Sequence, residues 1–422
     1  MQEVPIELEF DVIHDKIVFI KYNNLFIILK KCLFDLKYLF FVFVLLFILS
    51  KLFFHSLDRL NIIDLTPYIQ YISDCKNSIY YNREKIYNNH PYISVCISAL
   101  NMEDYIEKNI LSIINQSFQD FEIVIADDGS NDKTGNIIKK IQSNDKRIKL
   151  LSHPYKLGVY RSRIETIFNS KSEYILLMDP DDMYLNENLF RKIYEYNKEN
   201  NLDIIEFSVI HQIEGQERIF FPKFHYHNHY HQFDKNIINQ PELSNILFYS
   251  PGTKKYSRTI CRNIWNKIIR RKIFRRVNEY IGEEYYNDYI ITTDDMLLNI
   301  ITYQFATNYS NINLPGYLYI RRNNSMSRGG EDELKKIRII NYYTYFKMFY
   351  KYLRDYNKDI HFLFYEMKSL QGQILGIKNY NLTSYIPKQL NLIESIIQEN
   401  VLSNEFEAFL QNLSSFFRNY SF

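Results

Sequence analysis

Between residues 91 and 210 the hydrophobic positions follow two alternating rhythms. Four short, mainly apolar runs read as strands: ISVCIS (93–98), a buried one, then FEIVIA (121–126), RIKLL (147–151) and the run over 173–178, whose Ile/Leu/Met stretch without alternation predicts burial on both faces. After the first run, Tyr105, Ile106, Ile110, Ile113 and Ile114 recur at helical spacing, which predicts a helix over residues 103–114. A second helix is expected from about Lys133, with Asn131 or Asp132 as its cap, and a third carries Arg161 and Arg163 after a loop holding Gly158. Strands that alternate with helices predict an α/β fold.

Polarity concentrates at the strand ends. The first strand is followed by Asn101, the second by Asp127 and Asp128, and the last by Asp179, Asp181 and Asp182 within four positions. In open parallel sheets ligands sit beyond the carboxyl ends of the strands, so these residues mark the mouth of a site. Carboxylates so close repel one another unless a positive charge joins them. A hard divalent cation, Mg²⁺ or Mn²⁺, that brings phosphate oxygens with it meets that need. Gly129 gives the backbone room for close approach to a ligand.

Further along, Met296, Leu297, Ile300, Ile301 and Phe305 predict a helix with one buried face, and Asp294 and Asp295 sit at its positive N-terminal end. That position keeps a carboxylate ionised, as a general base must be. Residues 331–422 read as amphipathic helices that pack on the core, KIRIINYYTYFKMFYKYL and LNLIESIIQENVL among them.

Upstream, residues 38–54 carry one charge, Lys51, in an otherwise apolar run that spans roughly 26 Å as a helix, enough to cross a bilayer. The run lacks a small-residue cleavage site, which favours an uncleaved anchor. Lys16, Lys21, Lys30, Lys31 and Lys37 precede it, so a single-pass membrane protein with a cytoplasmic N-terminus is expected, in a thinner membrane of the secretory pathway such as the ER or Golgi. The expected division is a cytoplasmic segment (1–37), an anchor (38–54), a stem (55–90), a catalytic domain (91–330, in halves 91–210 and 211–330) and a helical C-terminal region (331–422).

Lys and Arg number 51 against 49 Asp and Glu, so no basic surplus marks a nucleic-acid partner. Cys32, Cys75, Cys96 and Cys261 are scattered, with neither a CxxC pair nor a disulfide framework. His225, His227, His229 and His231 alternate along one strand face, a pattern read as a His-rich hairpin rather than a transition-metal site.

The order of segments resembles the family 2 glycosyltransferases. PYISVCISALNMEDYIEKNILSIINQSFQDFEIVIADDGSNDKT, then LGVYRSR, then YILLMDPDDM follow the family's strand and helix, DDGS turn, Gly-to-Arg loop and D-x-D cluster. The resemblance covers 91–210 strongly and runs more loosely to Arg328. It implies a GT-A fold, a Rossmann-like mixed sheet flanked by helices, and inverting transfer from a nucleotide sugar, UDP-linked, to a hydroxyl of a glycan, lipid or protein.

On that resemblance Asp127 and Asp128 receive the base and ribose, with Asn101 on the same side and Arg163 a further nucleotide contact. Asp179 and Asp181 match the D-x-D pair with Asp182 adjacent, and Asp181 is the expected metal ligand. ICRNIWNKIIRRKIF (260–274) resembles the family's W-N-K segment, and Asp294-Asp295 stands where the family has Glu-Asp, which makes Asp295 the base and Asp294 its neighbour. YLYIRRNNSMSR (317–328) offers Arg321, Arg322 or Arg328 to the pyrophosphate, Arg322 being the choice. The chain departs from the family at Ala99-Leu100-Asn101, where an aromatic near the base is missing. An inactive GT-A-like membrane protein that binds nucleotide or carbohydrate is the alternative; a nucleotidyltransferase is disfavoured because no Gly-rich basic loop follows the first strand.

Overall fold

The apolar runs become the centre of one mixed sheet because each sends alternate side chains into two separate cores. A computed structural model describes residues 10–13, 17–20, 66–215, 219–220, 237–246, 263–287, 289–322, 332–369, 386–400 and 402–419. The anchor run 38–54, Cys32, Cys261, His225–His231 and Arg328 lie outside the described residues. Among the described residues no helix is long and apolar enough to cross a membrane.

In chain order, β1 (Phe10–Ile13) and β2 (Ile17–Ile20) pair antiparallel as a separate two-stranded sheet. Helix α1 (Thr66–Lys76) precedes β3 (Ile93–Ala99), α2 (Ile106–Ile114), β4 (Phe121–Asp127), α3 (Thr134–Gln142), β5 (Ile148–Ser152) and α4 (Val159–Phe168). Next come β6 (Tyr174–Met178), β7 (Met183–Tyr184), α5 (Leu189–Asn200), β8 (Ile204–Ile213), β9 (Ile219–Phe220), β10 (Ile237–Asn239) and α6 (Glu242–Ile246). The remainder is β11 (Lys267–Arg270), α7 (Arg271–Asn287), α8 (Asp294–Phe305), β12 (Asn308–Arg321), α9 (Asp332–Asp355), α10 (His361–Ser369), α11 (Ile386–Glu399) and α12 (Asn404–Asn419).

The main sheet runs β10-β12-β8-β11-β6-β3-β4-β5, with β7 added to β12 and β9 to β8. β6, β3, β4 and β5 are parallel, as are β8 and β12, and β11 lies antiparallel between β6 and β8. All the long parallel strands therefore end on the same edge. In β6, Ile175 and Leu177 enter one core while Tyr174, Leu176 and Met178 enter the other. A side chain so buried contributes on the order of 1.5–3 kcal/mol of hydrophobic stabilisation, which explains a run with no polar residue.

Local chemistry sets the small shifts from the expected boundaries. Helix α2 starts at Ile106 because Met102–Tyr105 form a turn, closed by Tyr105 N–H donating to Met102 C=O at 3.0 Å. For α3 the cap position falls on Lys133 rather than on Asn131 or Asp132; Asp132, one residue earlier, accepts the Thr134 N–H at 2.9 Å, and the Asn131 N–H goes to Asn101 Oδ1. The C-terminal helices share a core with α7 and α8, through Tyr345, Phe349, Phe362, Ile393 and Phe406. Helix α9 also reaches the segment before α8, where Asn341 accepts the Ile291 N–H at 2.9 Å and donates to Tyr289 C=O at 3.1 Å.

Candidate active site

At the shared carboxyl edge of the parallel strands opens a cleft of about 380 Å³. Its walls carry five carboxylates, Asp128, Asp179, Asp181, Asp294 and Asp295, against two guanidinium groups, Arg163 and Arg322. The negative surplus is the electrostatic setting in which a divalent cation binds.

Asp179 leaves the end of β6 and Asp294 opens α8, and Arg163 from α4 is paired with both. All three elements converge here because β6 ends at the cleft and α8 points its N-terminus into it. Burial alone would lower the Arg163 pKa, but the charges of Asp294 and Asp179 outweigh it and hold the guanidinium firmly protonated. Asp294 is pushed up by burial, with Arg163 opposing and Asp179 reinforcing the shift.

Asp295, next in the chain, is raised to about 7, first by burial and then by the Asp294 charge, while Arg163 pulls the other way. Its Oδ1 accepts the Met296 N–H at 2.8 Å. Thr293, and neither aspartate, occupies the helix-cap position, in the left-handed region at φ 69°. A β-branched residue there is strained by about 1–3 kcal/mol, and strain of this kind persists only where neighbours enforce it. Here Asn341 of α9 holds Ile291 and Tyr289 just upstream.

The acidic loop after β6 divides its carboxylates between two tasks. Asp181 faces the cleft and pairs with Arg322, whose Nε donates at 2.8 Å and whose guanidinium lies 4.6 Å from the Tyr105 ring centroid. Burial raises the Asp181 pKa, with Arg322 opposing. Asp182 instead turns into the protein, where Oδ2 accepts the Tyr317 hydroxyl at 2.8 Å and Oδ1 the Ile320 N–H at 2.7 Å. Burial raises its pKa well above the ordinary range. Asp182 thus ties the loop to β12. Asn109 of α2 secures the other side, donating to the Asp179 and Asp182 carbonyls at 2.9 and 2.8 Å.

At the β4 end, Asp128 lines the cleft while Asp127 stands behind it. Asp127 Oδ1 accepts the Ser130 N–H at 3.0 Å and so shapes the DDGS turn. Asp128 accepts the Leu157 N–H at 2.8 Å and the Gly158 N–H at 3.0 Å. Asn101 (φ 53°) is exposed and acts as a loop staple, its N–H donating to Ser130 Oγ and its Oδ1 accepting from Asn131, while Leu100 and Met102 do the lining.

The sequence-predicted residues that meet around the cleft are therefore Asp128, Arg163, Asp179, Asp181, Arg322, Asp294 and Asp295, whereas Asn101, Asp127 and Asp182 brace its loops. Of the three candidate arginines, Arg322 lies at the cleft and pairs with Asp181. Three residues not picked out as site residues from the sequence, His211, Trp265 and Tyr319, also line the cleft. Trp265 stacks on Tyr317 (centroids 4.4 Å apart, 23° between planes) and on Tyr319 (5.6 Å, 11°), and His211 packs on Tyr319. Tyr317 and Tyr319 share one strand face by period two, a signal present in YLYI, but what they stack on depends on the fold.

Among the described residues no three His, Cys, Asp or Glu side chains are grouped to hold a metal by themselves. A magnesium-type site needs only one or two carboxylates when phosphates supply the rest, and cleft-facing Asp179 and Asp181 meet that requirement.

Residues 94–265 match the family model for Glycosyl transferase family 2. The chain is similar to the uncharacterized glycosyltransferase EpsJ of Bacillus subtilis, 25% identical over 238 residues that cover 56% of this chain and 63% of that protein. It is also similar to poly(ribitol-phosphate) beta-N-acetylglucosaminyltransferase TarP of Staphylococcus aureus, 29% identical over 223 residues, 51% of this chain and 61% of that protein. The matched part thus spans about three fifths of each relative. The fold is like that of S. aureus TarS 1-349 in complex with UDP-GlcNAc, with a TM-score of 0.50 and 16% identity over 78% of this chain and 90% of that one. The acidic cluster at the end of β6 thus lies inside a region, residues 94–265, that matches glycosyl transferase family 2, and the relatives named for that region are glycosyltransferases.

Proposed function

We propose that this chain moves a sugar from a nucleotide sugar, with UDP the nucleotide, to a hydroxyl of a glycan, lipid or protein acceptor, with inversion at the anomeric carbon. The observation that carries the reading is Asp295, a carboxyl raised to about 7, set in the same cleft as Asp179 and Asp181. A base poised near neutral pH can take the acceptor hydroxyl's proton as its oxygen bonds to the anomeric carbon and the bond from that carbon to the diphosphate breaks. The proton ends on Asp295, and the electron pair of the broken bond leaves with the nucleoside diphosphate.

The cleft divides these tasks between its ends. Asp128, Ser98 and Leu100 sit at the strand ends that would take the nucleotide, and the relative solved with UDP-GlcNAc supports that donor class. Asp181 and Asp179 would hold Mg²⁺ or Mn²⁺, which when bound supplies positive charge against the departing diphosphate. Arg322, beside Asp181, stands where a guanidinium fork can meet phosphate oxygens. Trp265, Tyr319 and His211 present an apolar, partly polar wall suited to a sugar ring. Arg163 keeps Asp294 and Asp179 compensated, so that Asp295 is the carboxylate left to act.

The unit of activity in this proposal is 91–330, with α9 bracing the segment that leads to α8, and the run 38–54 serves as a single-pass membrane anchor. The deciding experiment follows nucleoside diphosphate release by the full chain across UDP- and GDP-sugars with Mn²⁺ or Mg²⁺. Release from one donor that collapses in Asp295→Asn supports the reading. Tight UDP binding with no release from any donor or with added acceptors favours the alternative, a binding protein without turnover.

A further inference from the structure

Outside the residues assigned to chemistry, one buried titratable side chain touches the cleft's framework from two sides. His153 follows β5, and its side chain is 9% exposed. Its Nδ1 lies 3.2 Å from Asp128 Oδ1, and its Nε2 lies 2.8 Å from Glu165 Oε2 without the alignment of a hydrogen bond. Asp128 is the carboxylate that accepts the Leu157 and Gly158 N–H groups. Glu165, on α4, also accepts from Arg161 Nε at 3.2 Å and from the Tyr286 hydroxyl of α7 at 3.1 Å. The imidazole therefore links the carboxylate that pins the 153–158 loop to a helix and, through Tyr286, to the acceptor half.

We infer that His153 is a positioning residue: by holding Asp128 it sets the 153–158 loop against the nucleotide end of the cleft. Asp128 uses both oxygens to accept from the loop, and one of them also faces the ring. Without a partner on that side, the carboxylate is free to rotate and release one amide. The loop matters because Gly158 lines the cleft at φ +94° and abuts the backbone of Ile290, from the segment that leads to Asp295. A histidine that merely fills a core has apolar neighbours. This one stands between carboxylates from two different elements.

The ligand side of this inference rests on the nucleotide reading above, so the test has two arms on the full chain. Hydrogen exchange of the Leu157 and Gly158 amides, with no ligand present, is expected to quicken at least tenfold in His153→Ala. It should stay within threefold of wild type in His153→Asn, whose amide retains a donor near the Nδ1 position. UDP, the probe in the second arm, is expected to bind at least tenfold more weakly to His153→Ala, with the melting temperature moved by no more than about 2 °C. Should His153→Ala fold poorly, Glu165→Gln, which removes the charge on the far side of the ring, is expected to quicken the same two amides. Unchanged exchange in these variants overturns the inference, as does quickened exchange with unchanged UDP affinity. A wild-type chain that binds no UDP overturns the nucleotide reading instead, while the exchange arm still decides whether His153 holds the loop.

Discussion

Arg163 and Asp294, 131 residues apart, form a buried ion pair that joins the strand-end half of the cleft to the helix that begins with Asp294 and Asp295. The same guanidinium reaches Asp179, so one cation serves carboxylates from both halves. Breaking a buried pair from one side costs more than the pair contributes, because a charge is left uncompensated. Arg163→Met is therefore expected to lose about 3–5 kcal/mol of stability at pH 8. The loss should be smaller at pH 5 than at pH 8, because burial already favours the protonated form of Asp294 and removing the Arg163 charge favours it further. Chemical denaturation at the two pH values measures both, and a pH-independent loss would sink the assignment.

Asp295 gives the pH dependence of turnover its expected shape. A base must be deprotonated, so with a carboxyl at about 7 the rate should rise as pH increases through 7 and level off above it. Asp295→Asn is expected to lower turnover by about 10²–10⁴-fold and leave UDP affinity within a few-fold. Stability runs the opposite way. The folded-state carboxyl lies above its unfolded value, so the native protein binds the extra proton between about pH 4 and 7, and stability falls as pH rises across that window. Asp295→Asn should flatten that decline and be the more stable protein at pH 8, on the order of 2–4 kcal/mol. Rate profiles and melting curves over pH 4–9 check the two signs together.

Gly158 cannot take a side chain without cost. A Cβ there would lie 2.9 Å from Ile290 O and 3.1 Å from Ile290 N, and the backbone already sits at φ +94°. Gly158→Ala is expected to lose about 1–3 kcal/mol and to weaken UDP binding, since the loop and the 289–293 segment must separate to admit the methyl. Calorimetry of unfolding and of UDP binding would show both effects; a variant as stable as wild type contradicts the close approach.

Cation dependence should trace to Asp181. Chelation with EDTA is expected to abolish diphosphate release, and Mn²⁺ to tighten UDP binding in wild type but not in Asp181→Asn. Asp182→Asn is expected to behave differently, because its carboxylate is spent on Tyr317 and Ile320: stability falls by about 1–3 kcal/mol while the Mn²⁺ response persists. If Asp182→Asn alone loses the Mn²⁺ response, the division of labour between the two neighbours is wrong.

What the sequence determined by itself is what local periodicity and composition encode. The runs over 93–98, 121–126 and 174–178 are mainly apolar because both faces of β3, β4 and β6 are covered, and the carboxylates that follow β4 and β6 stand at strand ends wherever the strands go. The Asp294-Asp295 pair and the apolar positions after it likewise mark the start of α8. Only the tertiary structure decided which carboxylate faces the cleft. Asp181 and Asp182 are neighbours with the same side chain, yet one meets Arg322 and the other Tyr317, each more than 130 residues away. The antiparallel insertion of β11, the aromatic wall around Trp265 and the grip of His153 on Asp128 have the same origin. A hydrogen bond or stacked ring depends on the distance between atoms, and residues distant in sequence acquire that distance only when the sheet and its helices pack.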